Sequence, residues 1–144
     1  MTAIRACTRE DFEQIFALLR QLWPDRTLDR DALSQVYCRG LASDLQRFLC
    51  AEEEEENIVG FCSLTIKNNL WQAGYLAHID ELVVRKEKSG RGIGGALLDA
   101  IIEAAKQAGC SRVELDSGFH RTEAHRFYQQ HGFENRAYLF SKTL

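Results

Sequence analysis

The chain has 144 residues, 45% of them hydrophobic and 27% charged, which suits one compact domain, residues 1–144, around a single core. Its formal charge of −3 argues against nucleic acid as a partner, because phosphate-backbone binding needs a basic surface. No apolar run reaches the roughly 18 residues of a membrane span, and Met1–Phe12 lacks the apolar core of a signal peptide, so a cytoplasmic protein with no membrane partner is expected.

Thr2–Ala6 alternates weakly and reads as a short strand. Thr8 followed by Asp11 resembles a capping box with Asp in place of Glu. Phe12, Ile15, Phe16, Leu19 and Leu22 then recur at helical spacing until Pro24 ends the helix. A second helix is predicted over Arg30–Leu41, with Leu33, Val36, Tyr37 and Leu41 on one face. Arg47–Ala51 and Ile58–Ile66 read as a hairpin joined by the acidic turn Glu52–Asn57, whose five consecutive glutamates are a solvated turn and not a cation site. Leu76–Val84 is a further strand, followed by the glycine-rich segment Ser89–Gly95 and a helix from about Ile93 to Ala108, with Gly109 as its C-cap. Arg112–Asp116 reads as a strand, Glu123–His131 as a helix, and Phe133–Lys142 as one or two final strands. The order is β-α-α-β-β-β-α-β-α-β.

Cys7, Cys38, Cys50, Cys62 and Cys110 are odd in number and form no C-x-x-C pair, so buried reduced thiols are expected. His78, His120, His125 and His131 show no paired ligand spacing, and no metal is expected.

Ser89-Gly90-Arg91-Gly92-Ile93-Gly94-Gly95 is the sharpest local signal. Glycines free the backbone of Cβ clashes, so successive N–H groups can face one concavity, and the helix beginning there adds unpaired N–H groups and its positive dipole end. A phosphate cradle is the expectation, with Lys86, Lys88 and Arg91 adding positive charge. Gly90, Gly92 and Gly95 also satisfy G-x-G-x-x-G, with Asp116 downstream, as in a dinucleotide site. The charged stretch Arg85–Ser89 between strand and glycines, and the small number of strand–helix units, count against that reading. A Walker A loop would need Lys-Ser or Lys-Thr after the glycines, and neither is there.

At these residues the chain resembles the GNAT superfamily of N-acetyltransferases. The family signature Gln/Arg-x-x-Gly-x-Gly/Ala is matched by Ser89-x-x-Gly92-x-Gly94, with Ser89 in place of the usual Arg or Gln. Glu81-Leu82-Val83-Val84 looks like the family's central strand, whose backbone pairs with the pantetheine arm of the coenzyme. Ala124-His125-Arg126-Phe127-Tyr128-x-x-x-Gly132-Phe133 looks like its C-terminal helix and strand. Those segments and the ending Phe140-x-Lys142-x-Leu144 are similar to bacterial aminoalkylphosphonate N-acetyltransferases.

The resemblance implies an α/β (α+β) domain with a central mixed, mostly antiparallel, splayed sheet flanked by helices. It implies acetyl-CoA as co-substrate, bound by Leu82, Val83, Val84, Ser89, Gly90, Arg91, Gly92, Ile93, Gly94, Gly95 and Arg121, and a small-molecule amine as acceptor. Tyr128 takes the family's position for the acid that protonates the leaving thiolate, which a phenol of pKa about 10 can do. Glu81 is the leading base, acting through water, or else an anchor for the acceptor's ammonium. His78, Asp116 and His120 are weaker candidates. Strict alternation would put Asp80 on the face opposite Glu81, and a bulge in this strand would free the N–H of Val83 or a neighbour as the oxyanion donor. Three options stay open: a silent acetyl-CoA-binding sensor, a protein or peptide N-acetyltransferase, and a homodimeric assembly.

Overall fold

The computed structural model describes residues 2–144, leaving aside the side chain at position 55. They group into two compact units, one ending at Glu114 and the other covering Leu115–Leu144. The first unit holds β1 (Ala3–Ala6), α1 (Phe12–Leu22), α2 (Arg30–Ala42), β2 (Gln46–Glu53), β3 (Asn57–Asn69), β4 (Gly74–Val84) and α3 (Ile93–Gln107). Strand β5 (Cys110–Leu115) ends at the boundary, and α4 (Thr122–Gln130) lies in the second unit. The sheet order is β1-β2-β3-β4-β5. The β1–β2, β2–β3 and β3–β4 pairs are antiparallel, and β5 follows β4 through the crossover helix α3, the connection that a parallel neighbour requires.

Alternation along the strands decides which helix covers which face. Cys50, Phe61 and Val83 join Phe12, Ile15, Leu18, Leu19 and Tyr37 in one buried cluster, so that face lies under α1 and α2. Their neighbours Ala51 and Gly60 point the other way, where Leu97 and Ile93 of α3 approach Gly60. A Cβ on Gly60 would stand 2.7 Å from Leu97 Cδ1, so the missing side chain lets α3 sit close to β3.

Helix α1 starts at the expected Thr8–Asp11 box: the Thr8 N–H donates to Asp11 Oδ2 at 2.7 Å. Asp11 has a second role, because Arg5 donates to both of its oxygens, at 2.8 and 2.9 Å, tying the helix start to β1. The guanidinium holds the Asp11 carboxyl below the usual carboxylate range. Two glutamines on α1 reach the sheet. Gln14 donates to the Glu56 carbonyl and accepts from Ile58 N–H, at 2.9 and 2.8 Å. Gln21 donates to the Val84 carbonyl and accepts from Lys86 N–H, at 2.9 and 3.0 Å.

The elements follow the expected order except at the end, where residues 133–144 form no strand. Phe133 packs edge-on against Tyr128 at 5.7 Å. Beyond it, Tyr138, Leu139 and Phe140 are exposed. Ala137-Tyr138-Leu139-Phe140 is an unbroken apolar run, the pattern of a strand buried on both faces, but its large side chains are exposed among the described residues.

Candidate active site

The polar centre of the first unit grows from an irregularity in β4. Ser63 pairs with Glu81 but Leu64 pairs with Ile79, so Asp80 is an extra residue and a bulge. The bulge lies three residues before Val83, in the strand expected to carry it. It also overturns the expectation that Asp80 and Glu81 face apart. Ser63 and Thr65 share one face of β3; Ser63 Oγ donates to Glu81 and Thr65 Oγ1 donates to Asp80, each at 2.5 Å. His78 Nδ1 lies 2.8 Å from Asp80 Oδ1 on the same side. This is the face of Phe48 and Phe61, under α1 and α2, because Ser63 stands opposite Phe48 in the β2–β3 register.

Ser63 is fully buried and also accepts from Glu81 N–H at 3.0 Å, so one hydroxyl satisfies the amide freed by the bulge and orients the carboxylate. Burial raises the Glu81 pKa above the usual carboxylate range; the Ser63 hydrogen bond opposes this, Asp80 adds to it, and His78 opposes it. A carboxylate raised in this way is a stronger proton acceptor than a solvated one.

Leu82, Val83 and Val84 continue β4 opposite Cys62, Phe61 and Gly60. Next, Ser89 Oγ donates to the Lys86 carbonyl at 2.9 Å, closing a short 3-10 turn, and Lys88 pairs with Glu53 at 3.0 Å. Gly90 and Gly92 have φ of +78° and +81°, which disfavours any residue with a Cβ. Apart from the adjoining residues, no atom of the described residues lies within 4 Å of where either Cβ would stand. The glycines therefore answer to backbone conformation and leave space in front of the chain. Gly92 is the N-cap of α3, and the first helical bond runs from Ala96 N–H to its carbonyl at 3.0 Å. The N–H groups of Ile93, Gly94 and Gly95 thus precede the helical ladder, at its positive end, with Arg91 exposed beside them. This geometry fits the phosphates of a coenzyme.

A groove of about 380 Å³ opens where α1 connects to α2, lined by Trp23, Arg26, Leu28, Asp29, Leu33 and Val36 among others. The sequence reading missed it, having no signal beyond Pro24 and the short connection that follows.

Tyr128 and Arg121 belong to the second unit. Tyr128 is half-buried on α4, its ring edge-on to Phe127 at 5.3 Å. Arg121 is the N-cap of α4 and donates its N–H to the Gly118 carbonyl at 3.0 Å. Asp116, His120, His125 and His131 lie in the same unit, with His125 Nε2 2.9 Å from the Gly118 carbonyl and His131 Nδ1 2.8 Å from the Phe127 carbonyl.

Comparison with known proteins agrees with this reading. Residues 8–133 match the model of the acetyltransferase (GNAT) family. An aminoalkylphosphonate N-acetyltransferase of Salmonella typhimurium is 33% identical over 98% of this chain and 90% of its own. A probable glucosamine 6-phosphate N-acetyltransferase of Oryza sativa is 31% identical over 90% of this chain and 80% of its own. The solved structure of a putative acetyltransferase from Agrobacterium tumefaciens superposes with a TM-score of 0.87 at 28% identity, covering 99% of both chains. No helix among the described residues is long and apolar enough to cross a membrane. With the glycine turn capping α3, a half-buried carboxylate on β4 and a family match spanning most of its length, the chain belongs to the GNAT family of acetyltransferases.

Proposed function

We propose that this enzyme, acting as one catalytic domain over residues 1–144, transfers the acetyl group of acetyl-CoA to the primary amine of a small molecule that also carries a phosphonate or phosphate. The reading rests above all on the start of α3, where Gly92 turns left-handed and leaves three amides ahead of the helical ladder. Those amides and the Gly90–Gly92 backbone take the pyrophosphate, and the Leu82–Val84 backbone takes the pantetheine arm. Arg91 and Arg121 add charge for the phosphates. Ser89 contributes little, since its hydroxyl is engaged with Lys86.

The transfer is direct, within a ternary complex. The neutral amine attacks the thioester carbonyl carbon, and its proton passes through water to Glu81. The Val83 N–H, or that of a neighbour, stabilises the oxyanion. As the carbon–sulfur bond breaks, the Tyr128 phenol protonates the thiolate, giving the amide and free coenzyme thiol. Burial of Glu81 and its Ser63 hydrogen bond support the base assignment. The acceptor class draws on the two relatives, whose named substrates are both amines bearing a phosphorus oxyanion. Arg26 supplies a cation in the α1–α2 groove suited to that anion. We further place the enzyme in the cytoplasm.

A thiol-release assay with acetyl-CoA and a panel of aminoalkylphosphonates, amino-sugar phosphates, polyamines and aminoglycosides tests the proposal. Turnover should be best with the phosphorus-bearing amines, and Tyr128→Phe should lower kcat by about 10² to 10⁴ when chemistry limits turnover. Stronger turnover of polyamines would refute the acceptor class. Acetyl-CoA binding without turnover of any amine would make the chain a sensor.

A further inference from the structure

On the same sheet face but at its β1–β2 edge, one group of three ligand-type side chains comes together among the described residues: Cys7 Sγ, Cys50 Sγ and a carboxylate oxygen of Asp11 lie within 4.8 Å of one another. All three residues are buried, with Cys50 fully covered and Cys7 8% exposed at the rim. The fold forces this meeting. Cys7 follows the last residue of β1, Cys50 lies in the middle of β2, and Asp11 closes the turn that starts α1.

We propose that Cys7, Cys50 and Asp11 form a binding site for a thiophilic divalent cation of the zinc type. Register separates this from the simpler alternative of a disulfide. Arg5 stands opposite Cys50 and Ala6 opposite Leu49, while Cys7 N–H donates to the Phe48 carbonyl at 3.0 Å. Cys7 and Cys50 are therefore diagonal neighbours on one face, a relation that sets Cα atoms roughly 7 to 8 Å apart. A disulfide needs Cα atoms no more than about 6.8 Å apart. A metal between the two sulfurs bridges the longer gap. With zinc–sulfur bonds of about 2.3 Å, tetrahedral geometry places the sulfurs roughly 3.8 Å apart, so the cluster needs to contract by no more than about an ångström.

The surroundings match what a metal centre requires. Asp11 Oδ2 accepts from Arg5, from Thr8 N–H and from Thr8 Oγ1. Oδ1 accepts only from Arg5 among the described residues, which leaves it a lone pair for a cation. Arg5 would then be the outer partner that orients a ligating carboxylate. Two thiolates, one carboxylate and a divalent cation sum to one negative charge, which the Arg5 guanidinium, shared with Glu52, offsets in part. The rings of Tyr37 and Phe12 belong to the same buried cluster as the two cysteines and wall the site on the core side, and a water would complete the tetrahedral set. Binding releases the two thiol protons to solvent.

The test is titration of the full chain, kept reduced, with Co²⁺ as a spectroscopic probe and Zn²⁺ in competition with a chromophoric chelator. One equivalent of Co²⁺ should give a thiolate-to-cobalt charge-transfer band. Cys7→Ser and Cys50→Ser should each weaken zinc binding at least tenfold, while Cys38→Ser leaves it unchanged. Since a core substitution can compromise folding, alkylation mapping of the unaltered chain in urea just below its unfolding midpoint, where the buried thiols open transiently, supplies a second measurement: zinc should slow alkylation of Cys7 and Cys50 and leave Cys38 reactive. Absence of both the band and the protection would overturn the proposal. So would zinc protection at other cysteines, or a Cys7–Cys50 disulfide found on air oxidation, since the register argument forbids one.

Discussion

Gly60→Ala tests how the site is positioned, because Gly60 is where α3, carrier of the phosphate turn, meets the sheet. The added Cβ would stand 2.7 Å from Leu97 Cδ1 and 3.4 Å from both Ala51 Cβ and Ile93 Cγ2. Leu97 is fully buried, so its methyl has little room to swing away. Overpacking of this kind costs about 1 to 3 kcal/mol. Against it stands a gain of roughly 0.5 to 1 kcal/mol from replacing glycine inside a strand. At mid-range the steric cost is the larger, and a net loss of about 1 kcal/mol is expected in urea unfolding. Because Ile93 begins α3, acetyl-CoA affinity measured by calorimetry should fall as well. Leu97→Val removes the clashing methyl, so in that background Gly60→Ala should be neutral or stabilising. The same loss in both backgrounds would refute the steric argument, as would a change below about 0.5 kcal/mol in the single variant.

Gly92→Val, at φ +81°, should weaken acetyl-CoA binding at least tenfold, roughly 1.4 kcal/mol, with the fold retained; unchanged calorimetric affinity would place the phosphates elsewhere. For Glu81 acting as a base, kcat/KM should fall as pH drops through its raised pKa, and Glu81→Gln should abolish that limb in the pH–rate profile. Ser63→Ala removes a hydrogen bond that lowers this pKa, so the acidic limb should move to higher pH; a shift the other way would exclude Glu81 as the titrating group. Asp11 has a depressed folded pKa, so its stabilisation is full above the ordinary carboxylate pKa and is lost as pH falls through the folded value. Asp11→Asn should cost about 1 to 2 kcal/mol at pH 7, less than a fully buried pair because Arg5 is one-third exposed and keeps Glu52, and should flatten the acid unfolding curve.

Most of the fold was legible because its signals are local. Helix α1 showed in the spacing of Phe12, Ile15 and Leu19, and the α3 start in four glycines within six residues. The Asp80 bulge was not legible: an extra residue in a strand shows only against its partner, and nothing between His78 and Val84 announces it. Strict alternation therefore separated two carboxylates that share a face. The Cys7–Asp11–Cys50 group escaped for a similar reason, since a ligand from a strand 43 positions away leaves no linear spacing to read. At the C-terminus, Tyr138–Phe140 carry the apolar run of a doubly buried strand, yet stand exposed among the described residues, since composition does not say what would cover them.

Gln21 carries a consequence for remodelling this enzyme. One primary amide holds both the last carbonyl of β4 and the first N–H of the turn that leads to the glycines. It grows from α1, the helix that leads into the α1–α2 groove. Exchanging that helix to recruit a new substrate would also loosen the approach to the phosphate turn, even with every glycine kept. A graft that retains an amide of this length at position 21 preserves the link, whereas one with leucine there leaves two backbone groups to find water.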